Sequence, residues 1–234
     1  ALAGPLRDLG AEVLLAPVIR IVPRALGDEA RPVLARVAAY DVVVFTSVNG
    51  VHVFAGLLES AGPGLAALRG TGAPEPGARR PALAAIGPAT AAALEARGLA
   101  CDVVPEDYIA EGLLAALERR GVAASGARVL IPRAAEARSV LPDTLRERGA
   151  LVDVLPVYDT LPADELELPH ERLEGADCIT FTSSSTVRAF VDLFAVQVSP
   201  GGSTVPQRLA AVKLCSIGPV TSATLRELGL QVAV

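Results

Sequence analysis

One stretch of the sequence occurs twice, and this repetition constrains the fold more than any other feature. The stretch YDVVVFTSVNGVHVF spans residues 40–54, and its counterpart ADCITFTSSSTVRAF spans residues 176–190. In each copy an apolar run ends in Phe-Thr-Ser, and small polar residues then lead into a helical pattern. This order predicts a buried strand, a tight turn and a helix whose first N–H groups are unpaired. Each copy therefore predicts a junction that can bind an anion.

Three further blocks of the first half return in the second half in the same order. The pairs are LGAEV at 9–13 with RGALV at 148–152, AIGPAT at 85–90 with SIGPVT at 216–221, and EARGL at 95–99 with RELGL at 226–230. Four blocks in one order exclude a chance match. Because short apolar strands alternate with helical patterns throughout, the sequence predicts an α/β fold of two similar parallel-sheet domains.

Periodicity and turn residues place the individual elements. We expect the end of a helix within 1–10, and strands at 11–21, 41–45, 81–86, 100–104, 128–132, 150–157, 178–181 and 211–217, with a last strand starting at 230–234. We expect helices at 28–37, 49–59, 89–97, 111–120, 140–148, 186–194 and 219–228. The Gly- and Pro-rich segment 62–80 is expected to be a surface loop with one short helix, and 198–206 a second loop.

Composition and charge narrow the class of protein. The formal net charge of -5 argues against a nucleic-acid partner. No apolar run is long enough to span a membrane, and no signal peptide is visible, so we expect a cytoplasmic protein. The cysteines, Cys101, Cys178 and Cys215, form no CxxC motif, and we expect reduced thiols. Because the chain lacks an initiator Met and opens inside a helical pattern, we expect that its N-terminus is trimmed.

The junctions at the ends of the predicted strands are the candidate binding site. Ligands of open parallel α/β sheets bind beyond the carboxyl ends of the strands. Four junctions lie there, at 46–49, 87–90, 182–185 and 218–221, and most add a hydroxyl to the helix N–H groups. Ordinary N-capping explains one such junction, whereas four symmetric ones favour ligand binding. If the two domains face each other, their junctions line one cleft that suits a ligand with several carboxylates.

Other kinds of site have no support in the sequence. His52 and His170 show no metal-ligand spacing, so we expect no metal. No GxSxG motif and no phosphate-binding GxxxxGK[ST] loop occurs.

Seven segments follow one another along the chain, namely FTSVNGV, AAIGPATAAALEARGL, VVPEDYIAEGLLAAL, VLIPRA, LPVYDT, ITFTSSSTV and SIGPVTSATLRELGL. In this order they resemble the uroporphyrinogen-III synthase family over essentially the whole chain. The resemblance implies two α/β domains joined by a two-stranded hinge, with residues 1–19 plus 160–234 as domain one and residues 20–159 as domain two. The usual opening strand ending in Thr-Arg-Pro is absent, and its only counterpart in this sequence is the repeat copy that ends at Arg133. The usual final helix after the last strand is also missing.

The same resemblance implies an activity, namely a monomeric lyase without cofactor. Such an enzyme cyclises hydroxymethylbilane to uroporphyrinogen III, with loss of water and inversion of ring D, in heme, siroheme and cobalamin biosynthesis. The hinge-strand tyrosine of the family matches Tyr158, which we expect to be the acid or hydrogen-bond donor for the leaving hydroxyl. We expect substrate contacts from the junctions, from the strand end that matches the family's opening strand, and from the single lysine: Thr46, Ser47, Asn49, Thr90, Arg133, Ser183, Ser184, Lys213 and Thr221.

Two alternatives remain open at this stage. The first is a non-catalytic two-lobed module that binds a tetrapyrrole or another polycarboxylate. The second is a periplasmic two-lobed binding protein for a sugar or amino acid, which requires an export signal and is disfavoured by the odd number of cysteines. Enzymatic activity on hydroxymethylbilane separates the synthase from both.

Overall fold

The computed structural model describes residues 2–25, 27–28, 30–69, 80–198 and 202–234. The strands are β1 (Ile19–Pro23), β2 (Val42–Phe45), β3 (Ala82–Ala85), β4 (Arg128–Ala134), β5 (Leu151–Pro162), β6 (Cys178–Phe181) and β7 (Lys213–Ser216). The α-helices are α1 (Ala3–Asp8), α2 (Ala30–Ala35), α3 (Val48–Ala61), α4 (Ala66–Arg69), α5 (Pro88–Glu95), α6 (Ala110–Arg119), α7 (Val140–Glu147), α8 (His170–Glu174), α9 (Ser184–Val198), α10 (Val205–Arg208) and α11 (Pro219–Glu227). A 3₁₀ turn, Val37–Ala39, precedes β2.

The chain divides into two compact units. Unit 1 consists of Ala1–Arg20 and Leu161–Val234, and unit 2 consists of Ile21–Thr160. One boundary falls within β1 and the other within β5, and these two strands are neighbours in a sheet.

Unit 2 is built on a five-stranded sheet of order β1-β5-β4-β2-β3. Strand β2 pairs in parallel with both β3 and β4, and β4 pairs in parallel with β5. All four residues of β2 are buried because helices cover both faces of the sheet. Val43 and Phe45 pack in a cluster with Phe54 of α3, whereas Val42 and Val44 pack in a second cluster with α6 and α7. This two-sided burial explains why the strand is a continuous apolar run.

Unit 1 contains a parallel pair, β6 with β7, in the register Cys178↔Lys213 to Phe181↔Ser216. Phe181 packs edge-on against Phe190 of α9, with ring centroids 5.3 Å apart. Unit 2 has a similar contact, in which Phe45 meets Phe54 of α3 at 5.8 Å. In both units, therefore, the Phe that ends the strand packs against the helix that follows it.

The predicted α/β class is confirmed, but several predicted elements are wrong in extent. Residues 11–18 form no strand, and β1 starts only at Ile19. Pro17 has no N–H to donate to a sheet, which accounts for the late start. The expected strands at 100–104 and 230–234 are reduced to single bridges, Ala84↔Val103 and Leu214↔Val232.

Two short helices lie where the sequence predicted none. Helix α8 has five residues, and α10 lies partly in the expected loop 198–206. The backbone N–H of Thr204 donates to the Gln207 side chain at 2.8 Å, which is half of a capping box that the Thr-x-x-Gln spacing could have indicated. Residues 70–79 and 199–201 of the expected loops lie outside the described residues.

Candidate functional site

Three of the predicted site residues meet at the carboxyl-terminal edge of the sheet in unit 2. Ser47 follows β2, Arg133 is the penultimate residue of β4, and Tyr158 lies in β5. These strands are neighbours in the order β5-β4-β2, and all of them are parallel. Their carboxyl ends therefore lie side by side, as the ligand sites of parallel sheets require.

Ser47 connects the start of helix α3 to Tyr158. Its side-chain oxygen accepts the N–H of Gly50 at 2.9 Å, so Ser47 is the N-cap of α3. The same oxygen lies 2.9 Å from the hydroxyl of Tyr158, and either atom can be the donor. When Ser47 donates, the proton of Tyr158 is free for another acceptor.

A β-bulge positions Tyr158. Arg133 is opposite Pro156, but Ala134 is opposite Tyr158, so Val157 is an extra residue in β5. Val157 and Tyr158 both pack in the cluster that contains Phe45, although consecutive residues of a regular strand point to opposite faces. Bulges of this kind reorient side chains next to functional sites.

Arg133 is a largely buried cation that has no hydrogen-bond or ion-pair partner among the described residues. The residue is only 7% exposed, and no described residue forms a hydrogen bond or an ion pair with its guanidinium group. Burial lowers its pKa, and the charges of Asp143 and Tyr158 partly offset that effect. Because this partly desolvated cation has no ion-pair partner among the described residues, an anion that binds beside it would gain a favourable charge contact.

The remaining predicted residues of unit 2 lie at the two strand–helix junctions of this unit, 46–49 and 87–90. Thr46 and Asn49 are half-buried at the start of α3. Thr90 is 4% exposed, and its backbone N–H donates to Gly87 within the first turn of α5. Thr90 therefore lies at the next junction of the edge with most of its side chain covered.

In unit 1 the predicted residues lie at two junctions and at one strand start. The Ser183 hydroxyl accepts the N–H of Thr186 at 3.3 Å, and the Ser184 hydroxyl donates to the carbonyl of Val220 at 3.3 Å. Thr221 is buried in the first turn of α11. Lys213 is exposed at the amino-terminal end of β7, so the structure does not bring it to these junctions.

Gly50 is a site residue that the sequence reasoning missed. A Cβ at this position would lie 3.2 Å from the carbonyl oxygen of Pro132 and 3.2 Å from the Ser47 side-chain oxygen. The absence of a side chain lets α3 approach the end of β4 closely. The sequence did contain a signal for this role, because the run Phe-Thr-Ser-Val-Asn-Gly places a Gly three residues after the capping Ser47, in the first turn of the helix.

The described residues contain no candidate metal site and no candidate membrane span. In that part of the chain, no three His, Cys, Asp or Glu side chains are grouped so that they could hold a metal ion. Within the same residues, no helix is long and apolar enough to cross a membrane.

Comparisons with known proteins agree on one family. The family model described as uroporphyrinogen-III synthase HemD matches residues 1–234. A putative uroporphyrinogen-III synthase of Methanothermobacter thermautotrophicus is 36% identical over 230 residues, which are 94% of this chain and 82% of that protein. The uroporphyrinogen-III synthase of Synechococcus elongatus is 32% identical over 232 residues, or 97% and 81% of the two chains.

A solved structure supports the fold. The chain resembles the crystal structure of uroporphyrinogen-III synthetase from Helicobacter pylori with a TM-score of 0.58 at 21% identity. The match covers 92% of this chain and 82% of that one.

Proposed function

The chain belongs to the uroporphyrinogen-III synthase family, and from this membership we propose that it cyclises hydroxymethylbilane to uroporphyrinogen III. In this reaction water is lost and ring D is inverted, so the enzyme is a lyase of tetrapyrrole biosynthesis. The observation that carries the proposal is the match of the family model to all 234 residues.

Binding of the substrate is assigned to local donors because the chain as a whole is acidic. The linear tetrapyrrole carries eight carboxylates, and the net charge of -5 would repel them. The buried Arg133 and the N–H groups at the helix starts offset this repulsion. We assign substrate contacts to the side chains and backbone of Thr46, Ser47, Asn49, Thr90, Arg133, Ser183, Ser184 and Thr221. Lys213 is not included, because it lies at the amino-terminal end of β7, away from these junctions.

Tyr158 is assigned to the first chemical step. The hydroxyl on ring A leaves as water after it takes a proton, and the remaining ring becomes an azafulvene cation. Tyr158 donates this proton while the Ser47 hydroxyl, 2.9 Å away, donates to the Tyr158 oxygen. The charge of Arg133 interacts favourably with the tyrosinate that results. The proton that the closing macrocycle releases later restores Tyr158.

Positioning governs the second step. Ring D attacks the cation through its substituted carbon, and the resulting spiro intermediate fragments and recloses with ring D inverted. A chain free in solution closes head to tail instead and gives the type I isomer. Several fixed carboxylate contacts hold the substrate in the folded geometry that the spiro step needs.

The remaining assignments belong to the same proposal. The protein is a cytoplasmic monomer without cofactor, and its partner is the small-molecule substrate, with no nucleic acid or membrane involved. Its domains are residues 1–19 plus 160–234 and residues 20–159, connected by a two-stranded hinge. A non-catalytic tetrapyrrole-binding module is not favoured, because the curated relatives are named as synthases.

The test is isomer analysis of the product. Freshly prepared hydroxymethylbilane is incubated with the protein, and the oxidised products are separated into the type I and type III isomers. We expect mainly type III, formed faster than the spontaneous reaction. Type I alone, at the spontaneous rate, would contradict the proposal.

A further inference from the structure

An exposed tyrosine covers a glycine at the β3 end of the same sheet edge. Gly87 is the N-cap of α5 and follows β3. A Cβ on Gly87 would lie 3.3 Å from Cγ of Tyr108 and 3.5 Å from its Cδ1. The Tyr108 ring thus rests against the junction, where any other residue would displace it.

The loop that carries Tyr108 is fixed on both sides. Before it, Val103 bridges to Ala84 of β3 in parallel, so the loop leaves the sheet at the same carboxyl-terminal edge. On the other side, Gly112 of α6 lies so close to the backbone of Asp107 that a Cβ on Gly112 would overlap the Asp107 carbonyl oxygen. The ring position is therefore set before any ligand arrives, which lowers the entropic cost of binding.

The fold does not account for the exposure of Tyr108. The residue is 59% exposed, and the neighbouring Val104 and Ile109 are exposed as well. Among the described residues, none forms a hydrogen bond with the Tyr108 hydroxyl. An aromatic ring that is held in place yet left open to solvent is suited to contact a flat apolar group of a ligand.

The edge is long enough for one ligand to contact a cation and an exposed aromatic ring at the same time. From β5 to β3 the order is β5-β4-β2-β3, so the edge spans three strand spacings, about 14 Å. Arg133 and Tyr158 lie towards one end of this span, and Tyr108 lies at the other.

We propose that Tyr108 is a substrate-binding residue whose ring stacks on a pyrrole of the tetrapyrrole while Arg133 pairs with one of its carboxylates. The inference rests on the proposed function and names a second part of the same site. Tyr108 takes no part in proton transfer, so it affects binding of substrate and not the chemical step.

The test compares three variants in a binding assay that needs no turnover. Uroporphyrin III is titrated into wild type, Tyr108→Leu, Tyr108→Phe and Leu151→Ala, and its absorbance reports binding. Tyr108→Leu keeps an apolar side chain against Gly87 but removes the aromatic face. Leu151→Ala is the control, because it truncates another exposed apolar residue at the amino-terminal end of β5, on the sheet edge opposite the site.

We expect Tyr108→Leu to raise the Kd of uroporphyrin III about five- to tenfold, as loss of one aromatic contact predicts. Tyr108→Phe and Leu151→Ala should bind like wild type, and KM should rise in Tyr108→Leu with kcat unchanged. Equal Kd values for Tyr108→Leu and Leu151→Ala would overturn the inference. Failure of the proposed function is a different result, because wild type would then give only the type I isomer whatever the binding data show.

Discussion

The side-chain oxygen of Ser47 lies 2.9 Å from the hydroxyl of Tyr158, although the two residues are 111 positions apart in the chain. The contact joins the cap of helix α3 to the bulged part of β5. A single serine thus fixes both the start of the helix and the direction of the tyrosine hydroxyl. We take Tyr158 as the chemical centre of the site, with Ser47 as the residue that orients its hydroxyl and Arg133 as the nearby positive charge.

Removal of the Tyr158 hydroxyl should slow turnover. We expect Tyr158→Phe to lower kcat at least about tenfold, equivalent to about 1.4 kcal/mol in the activation barrier, because the leaving hydroxyl loses its proton donor. Tyr40→Phe is the matched control, since Tyr40 is equally buried and its hydroxyl bonds to Asp153. An unchanged rate in Tyr158→Phe would remove the acid role from this residue.

We expect removal of the Ser47 hydroxyl to lower the free energy of unfolding clearly and the turnover rate only slightly. Ser47→Ala loses the cap of α3, and we expect urea unfolding to show a decrease of about 1 kcal/mol in the free energy of unfolding. Turnover should fall by less than about threefold, a barrier change below 1 kcal/mol, because the backbone N–H groups of the junction remain. Complete loss of activity in a folded Ser47→Ala protein would show that the hydroxyl itself is essential.

Arg133 should be needed for binding but not for folding. We expect Arg133→Gln to raise KM at least about tenfold, a loss of about 1.4 kcal/mol, because a substrate carboxylate loses its cation. The free energy of unfolding should stay the same or increase, since a buried cation with no partner among the described residues is removed.

The control for this pair of effects lies in the same strand. Arg128 is exposed at the amino-terminal end of β4, so Arg128→Gln should alter neither KM nor stability. A large loss of stability in Arg133→Gln would instead identify Arg133 as a structural residue.

Asp102 should make the stability of unit 2 sensitive to acid. Two guanidinium nitrogens of Arg80 each donate to Asp102 at 2.7 Å, and the N–H of Leu83 donates at 2.7 Å. Burial alone would raise the Asp102 pKa, but these donors outweigh burial and lower it. Its stabilising effect is therefore complete above the unfolded pKa of about 3.9 and is lost as the pH falls through the lower folded pKa.

We expect Asp102→Asn to lower the free energy of unfolding by about 1–3 kcal/mol at pH 7, and this difference should shrink as the pH approaches 2. Urea unfolding at both pH values measures it. Asp164→Asn is the control, because the ion pair of Asp164 with Arg20 is exposed and should contribute little. A difference that is independent of pH would show that the ionised form of Asp102 is not what stabilises the fold.

Local patterns were sufficient to predict the elements whose burial is decided by their own residues. The apolar runs of β2 and β6 and the polar residues that end them predicted both strand–helix junctions, and β6 has the predicted bounds Cys178–Phe181. The Ser47 cap follows from the same pattern. Residues 11–18 are as apolar as a strand, but their pairing depends on partners that a local pattern does not contain.

The assembly of the site depends on contacts that no local pattern contains. Tyr158 is directed by a bulge that exists only because β5 pairs with β4 out of register after Arg133. Among the described residues, none pairs with Arg133, and this follows from the elements packed around it and not from the VLIPRA segment itself. The sequence indicated these residues through a family resemblance, whereas the fold supplies the physical reason why they can act together.

The most direct measurement is the fraction of type III isomer that wild type, Arg128→Gln and Arg133→Gln form from hydroxymethylbilane at a substrate concentration near the wild-type KM. We expect mainly type III product from wild type and Arg128→Gln. Arg133→Gln should shift the product towards type I. The variant binds the substrate weakly, so spontaneous cyclisation in solution becomes faster than the enzyme-catalysed reaction. The same isomer ratio in all three proteins would contradict the account, whether the shared product were type I or type III.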